Sequence, residues 1–552
     1  MNFGLSLRFW IAKWCFSTAQ VVAGWMLHKP KLPAWEGALS LPAVGDVGRV
    51  EQVAASRKQY DLVDTSRHFG ISVQLEHETL RDLPKAEAYP ARLTASKAFL
   101  KGGFAMDVSS GERWASFDAI RVVYGRLGVP SVAARWRSDD EFVRQRLQGP
   151  NPIWIEKLDS KVAATLDLAA MGVMDAQGEH YVVDFRGLMQ GAFGSDGRFC
   201  YPCAAVFQLR EGTLRALAIQ LERPDGTHAV ATPADGAAWM LAKMFFQCAD
   251  IWVHEVVTHY LWCHVYLEKI ILATHRNLAP THPLRRLLAL HFEHTLNLNR
   301  NGLVQLMGNG GYFDEKFSPG AAGKVAAVAF GNREWAFWRM EMPEHVTRRQ
   351  VAGLPEYPWR DDGLLACAEV ERFVGEFVAG WYRDDGAVVA DTEVQAWSLE
   401  LQARMGDRGF PALDGVANLC RVLTASLFQV VQHDLVNAPQ FEWYGFPPSS
   451  PPILCVPFPA DKTVVTEQTL VEALPDVGIT LNAILATYGF STRYNAWGDH
   501  AGRYLAGPSL ATYERFLDRL RAAELVLAER NAKRAVPYVV ALPSRLSLSI
   551  SA

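Results

Sequence analysis

From about residue 236 the chain carries WMLAKMFFQCADIWVHEVVTHYLWCHVYLEKIILATH, a long and nearly unbroken apolar stretch. Its periodicity is helical, and it is hydrophobic on most faces rather than along one stripe. A helix with no broad polar face has to be surrounded by other elements. This stretch therefore predicts a central helix inside a large, mainly helical domain, and it excludes folds built chiefly from sheets.

The rest of the 552 residues fits around such a helix. Further helical patterns run over 284–300, 364–383, 414–436 and 509–532, the last amphipathic and charge-laced like a surface helix. Strand-like runs such as YVVDF, AAVFQL and ALAIQLE fall within 151–225, separated by turn signals. The expected architecture is mainly α, with a small β-sheet portion, in effectively one domain. Residues 151–552 form its body, and residues 1–150 add N-terminal helices and loops packed on it.

Composition narrows the classes of function. A formal net charge of −4 gives no basic footprint for nucleic acid. Among eight cysteines the only close pair is Cys200 and Cys203, with no second CxxC to complete a zinc site. Buried free thiols in a reducing compartment are expected, which points to the cytoplasm; the chain is expected to act as a monomer. Residues 5–27 are apolar but interrupted by Arg8, Lys13 and Gln20. They suit an amphipathic helix, packed on the body or resting on a membrane surface, better than a span or a signal peptide.

Seven of the fifteen histidines lie between residues 254 and 294. His254, His259 and His264 recur every five residues within the central apolar stretch, and QHDLVN supplies His433 and Asn437 far downstream. On an α-helix, positions five apart diverge by about 140°. His259 and His264 can face one metal only if the helix is locally widened, as in a π-helix, a rare feature that recurs at functional sites. His433 and Asn437, four apart, share a face without help. Imidazole and amide ligands without thiolate suit iron or manganese with open positions better than a closed structural zinc. The zinc-protease pattern HExxH is absent, because HEVVTH has one residue more and turns its second histidine off the face. The plain alternative is a set of satisfied core histidines. A constant spacing inside a buried helix, with no obvious polar partners, argues against it.

These residues resemble the lipoxygenase family from about residue 150 to the end. WMLAK, HEVVTHYLWCH, Glu268, ATHRNLAPTHPLRRLLALHF and LNLN are similar to the family's central helix and the segment after it. EYPWRDDGLL, QHDLVNAPQFEWYGF, ALPD and the terminal SLSI are similar to its later motifs, in the same order. With no β-sandwich pattern before residue 150, the likeness is to the single-domain bacterial members.

The resemblance implies His259, His264, His433, Asn437 and Ile550 as metal ligands, with His254, Glu255 and Gln440 behind them. It implies non-haem iron, with manganese accepted by the same ligands. It also implies insertion of O2 into a polyunsaturated fatty acid, by hydrogen abstraction from a bis-allylic carbon, to give a hydroperoxide. Tyr260, Val265 and Leu306 match positions lining the substrate slot. Gly302 matches the position that biases stereochemistry, here toward R, although the Arg that follows it in the family is Leu303. Family chains end at the Ile, whereas Ser551 and Ala552 follow Ile550 here. Either Ala552 supplies the carboxylate, a neutral carbonyl replaces it, or the fifth position is open. An altered fifth ligand makes hydroperoxide isomerisation, or oxidation of another apolar metabolite at the same site, the alternative activity.

Overall fold

The computed structural model describes residues 35, 37–43, 45–90, 93–94, 111–173, 179–194 and 196–550, the side chain of Arg126 excepted. Residues 5–27 and the pair 551–552 lie outside them, and with them the membrane-surface helix and the alternatives at the terminus.

The central apolar stretch is one continuous helical rod in three parts. Ala237–Val253 is α-helical, His254–Val265 is a π-helix, and Tyr266–Asn277 is α-helical again. A capping box between Thr232 and Asp235 and the left-handed Gly236 (φ 58°) turn the chain into it. Every residue from Ala238 to His275 is buried. The all-round apolar pattern thus reflects all-round burial.

The β portion is a five-stranded antiparallel meander of Glu156–Lys157, Glu179–Asp184, Cys203–Arg210, Thr213–Glu222 and His228–Ala231. Along its third strand Cys203, Ala205 and Phe207 face the main core, while Ala204 and Val206 face a small satellite cluster with Leu166 and Met171. Burial on both faces explains why AAVF reads as an apolar run rather than an alternation.

Two helix boundaries differ from expectation. The pattern over 284–300 is two helices, Pro283–His291 and Thr295–Gly302, because His294 adopts a left-handed conformation (φ 65°) between them. The helix expected at 364–383 spans Pro358–Ala379. Its proline sits at the first helical position, where a missing N–H costs no hydrogen bond.

Ahead of residue 150 the described elements include the helices Val47–Gln59 and Asp139–Gln148, and a short hairpin pairing Leu62–Asp64 with Glu78–Leu80. The hairpin packs on Tyr266–Asn277, next to the widened part of the rod. Among the described residues no helix is long and apolar enough to cross a membrane.

Candidate metal centre

The widening predicted from the five-residue spacing falls on the residues that need it. Within the π-helix His254–Val265, His259 and His264 turn to one point, and His433 of the regular helix Val416–Asn437 meets them there. The Nε2 of His259 lies 3.1 Å from the Nε2 of His433 and 3.1 Å from the Nε2 of His264. All three side chains are buried, and together they form a group that could hold a metal ion.

A widened helix is less regular than an α-helix, so its neighbours have to secure it. The Thr258 hydroxyl donates to Asn151 Oδ1 (2.8 Å) and accepts from the Trp154 indole (2.9 Å). Trp262 donates to the carbonyl of Gly331 (3.0 Å). Gly331 belongs to the helix Gly320–Glu334, and a Cβ there would stand 2.7 Å from Leu261 and 3.0 Å from Val257. Only glycine lets the two helices approach this closely.

The hydrogen bonds decide which imidazole nitrogens carry protons. Asn299 donates its amide nitrogen to Glu268 (2.7 Å) and to the His264 carbonyl (3.2 Å). Its oxygen therefore faces His264 Nδ1 at 2.8 Å, and that nitrogen must be the donor. The Nδ1 of His259 faces a Glu255 oxygen at 3.3 Å and is protonated by the same reasoning. Burial pushes the pKa of His259 down and that of His264 well down, so both rings are neutral. Each Nε2 consequently presents a lone pair, and two lone pairs 3.1 Å apart repel. A cation between them removes that repulsion.

The separation itself suits an ion. Ligand nitrogens about 2.1 Å from one ion and at right angles stand about 3.0 Å apart, as in neighbouring octahedral positions. The residues present fit a divalent metal.

The second row is built from carboxylates. Burial works against ionisation of Glu255, but hydrogen bonds from His254 and His259 outweigh it and hold the carboxyl down at about 2. His254 has both nitrogens engaged, Nδ1 with Glu255 (3.2 Å) and Nε2 with the Val436 carbonyl (3.1 Å). It ties the two helices together instead of joining the trio. Burial likewise opposes ionisation of Glu268, yet His77, Thr79 and Asn299 together hold it below the usual carboxylate range.

Asn437 lies one turn beyond His433 and is buried. Its Nδ2 donates to the Phe490 carbonyl and its Oδ1 accepts from Gln440 Nε2, both at 2.7 Å. The Oδ1 retains a second lone pair for a ligand. The Oε1 of Gln440 is buried with no hydrogen-bond partner among the described residues. Ile550 is fully buried. Its segment is tied down by a hydrogen bond from the Ser547 amide to Asp434 and by one from His291 Nδ1 to the Leu548 carbonyl (3.0 Å).

Gly302, Tyr260 and Leu306 meet. A Cβ on Gly302 would stand 3.6 Å from Tyr260 and 3.8 Å from Leu306, and the Tyr260 ring lies 6.3 Å from that of His264. Val265, the residue after His264, is buried as well.

Sequence reasoning missed the support behind His264. Asn299 lies within LNLN, a motif that carries the resemblance without assigning this residue a role, and the same holds for Glu268. Thr79 donates to Glu268 (2.6 Å) and His77 lies 3.2 Å from it. Both come from the N-terminal hairpin region, where no sequence signal marks them.

A lipoxygenase family model matches residues 193–535. The chain is 31% identical to the linoleate 9/13-lipoxygenase of Pseudomonas aeruginosa, across 80% of this chain and 70% of that protein. It is 28% identical to the allene oxide synthase-lipoxygenase protein of Plexaura homomalla, across 88% of this chain and 51% of that one. It thus spans about half the length of the Plexaura relative. Identity to a hydroperoxide isomerase of Homo sapiens is 30%, across 76% of this chain and 63% of that one. Among solved structures, a coral 8R-lipoxygenase superposes with a TM-score of 0.83 at 27% identity, covering 94% of this chain and 83% of that one.

Proposed function

The chain belongs to the lipoxygenase family, and on that premise we propose that it inserts O2 into a polyunsaturated fatty acid to give a hydroperoxide. The observation that carries this reading is the convergence of Nε2 atoms from His259, His264 and His433 in a buried, largely apolar setting. These three and Asn437 are the side chains that would hold iron, with Ile550 the candidate for a further main-chain ligand. Iron, when bound, supplies the one-electron chemistry that removes a hydrogen atom from a bis-allylic carbon.

The residues around it have separate tasks. Asn299 and Glu268 fix the ring plane and tautomer of His264, and Glu255 does the same for His259. Tyr260 and Leu306 present an apolar wall to the acyl chain beside His264. Gly302 leaves room in that wall, so that O2 can reach a radical carbon that an alanine methyl would cover. Gln440 donates its amide to Asn437 Oδ1 and so orients that side chain.

The test is metal analysis of the purified protein, with oxygen uptake and conjugated-diene absorbance on linoleate and arachidonate. Near-stoichiometric iron with uptake on either acid is the expected result. Metal-loaded protein that consumes no oxygen with either would overturn it.

A second reading, isomerisation of a fatty-acid hydroperoxide, is favoured by the 30% identity to a human hydroperoxide isomerase. Incubation with a hydroperoxide under anaerobic conditions separates the two. Consumption there, without oxygen uptake on free fatty acid, would put isomerisation first.

A further inference from the structure

Lys324 is completely buried, yet it is far from the imidazole trio in sequence and the chemistry above makes no use of it. Its ammonium group donates to two oxygens and pairs in charge with a third. They are the carbonyls of Met307 (2.8 Å) and Gly308 (3.1 Å) and the carboxylate of Asp314 (2.6 Å). Asp314 in turn accepts from the amide of Gly310 (2.9 Å).

The two carbonyls end a second widened helical stretch, Leu303–Met307, which continues directly from Gly302 and contains Leu306. The loop after it is folded tightly. A Cβ on Gly308 would stand 2.4 Å from the Val304 carbonyl, and one on Gly311 within 3.0 Å of the carbonyls of Gln305, Leu306 and Gly308. The negative ends of several peptide dipoles are thus packed together, a place where a cation is stabilising. Lys324 supplies it.

Lys324 also belongs to the helix Gly320–Glu334, whose other end abuts the metal-bearing π-helix through Gly331. One rigid helix therefore touches the imidazole-bearing segment with Gly331 and pins the Gly302–Leu306 wall with Lys324.

We propose that Lys324 is a positioning residue for product specificity. By capping Leu303–Met307 it fixes where Gly302 and Leu306 stand relative to the metal, and hence which carbon and which face of the substrate receive oxygen. The inference rests on the fatty-acid dioxygenase reading, since it assigns specificity to a wall of that site.

The variants are Lys324→Met, Lys324→Gln and the double variant Lys324→Met/Asp314→Asn. Removing the lysine alone leaves the Asp314 charge unpaired and can cost the fold, whereas neutralising both partners costs less. The double variant is thus the decisive one. The readouts are metal content, Tm, the positional and chiral composition of products from linoleate and arachidonate, KM and kcat separately, and amide exchange over residues 303–312.

With metal content retained, the double variant should change the ratio of the main positional or chiral products by about tenfold, since small displacements at a reacting centre carry effects up to about 10²-fold. Exchange over 303–312 should accelerate. Lys324→Gln, whose amide can still donate to a carbonyl, should recover part of the wild-type ratio. A folded, metal-loaded double variant with unchanged products overturns the proposal, as does a loss of Tm with no change in product ratio. If the wild type itself consumes neither oxygen nor hydroperoxide, the functional reading fails instead. The clamp is then judged on exchange alone, with acceleration supporting it and an unchanged rate overturning it.

Discussion

His433 and Asn437 lie four residues apart on a regular helix, whereas His259 and His264 lie five apart on a widened one. The regular helix presents both side chains to one face by its own geometry, and its neighbours have little to correct. Ser426, one of its polar residues, hydrogen-bonds within the helix to the carbonyl of Val422 (2.7 Å). The widened helix is braced from three directions, by Asn151 and Trp154 at Thr258, by Gly331 at Trp262, and by Asn299 at His264.

The carboxylates beside the two helices differ in the same sense. Glu255 accepts from two imidazoles and is held at about 2, while burial pushes Asp434, next to His433, up to about 7. A departure from regular backbone is stable where surrounding polar groups are all committed to it. The contrast locates the fragile half of the site on the π-helical side.

The strongest test removes a ligand from each side. His264→Ala and His433→Ala should each abolish stoichiometric metal binding and oxygen uptake, measured by elemental analysis and an oxygen electrode. Retention of full metal by either would remove that histidine from the site.

Next, the supporting residues should separate the two sides. Asn299→Leu, on the braced side, should weaken metal affinity or turnover by about 10–100-fold, the usual cost of losing the group that orients a ligating histidine. Gln440→Leu, on the regular side, should cost less, because the Asn437 amide keeps its bond to the Phe490 carbonyl. Equal losses in a metal titration of the two variants would erase the distinction.

The rod continues past the π-helix into Lys269, which is buried and pushed down to about 7, chiefly by desolvation and then by Arg408. A lysine whose pKa is lower folded than unfolded destabilises the fold most below about pH 7, where both states are protonated. That cost fades as pH rises toward the ordinary lysine value, because only the unfolded chain then stays protonated. Wild-type stability relative to Lys269→Met should therefore rise between about pH 7 and pH 10, by at most about 1.4 kcal/mol per unit. A pH-independent difference in denaturant unfolding would contradict the assignment.

The smallest effects compare one hydroxyl from each helix. Thr258→Val strips partners from Asn151 and Trp154 and should cost about 1–3 kcal/mol. Ser426→Ala loses one bond within its own helix and should stay within about 1.5 kcal/mol. Unfolding midpoints in the reverse order would show that the π-helix does not depend on its braces.

The sequence alone determined the buried central rod, the histidines able to converge on it and the need for local widening between His259 and His264. These are matters of spacing along one chain, where residue type and helical period suffice. The proton position on His264 was decided elsewhere, by Asn299 from another helix, with Glu268 behind it and His77 and Thr79 from an N-terminal hairpin behind that. So were the hydrogen bonds from Lys324 to the carbonyls of Met307 and Gly308. A histidine's spacing is written in its own helix, but the acceptor that fixes its tautomer can come from any part of the chain that folding brings within about 3 Å. Only the tertiary structure selects that partner.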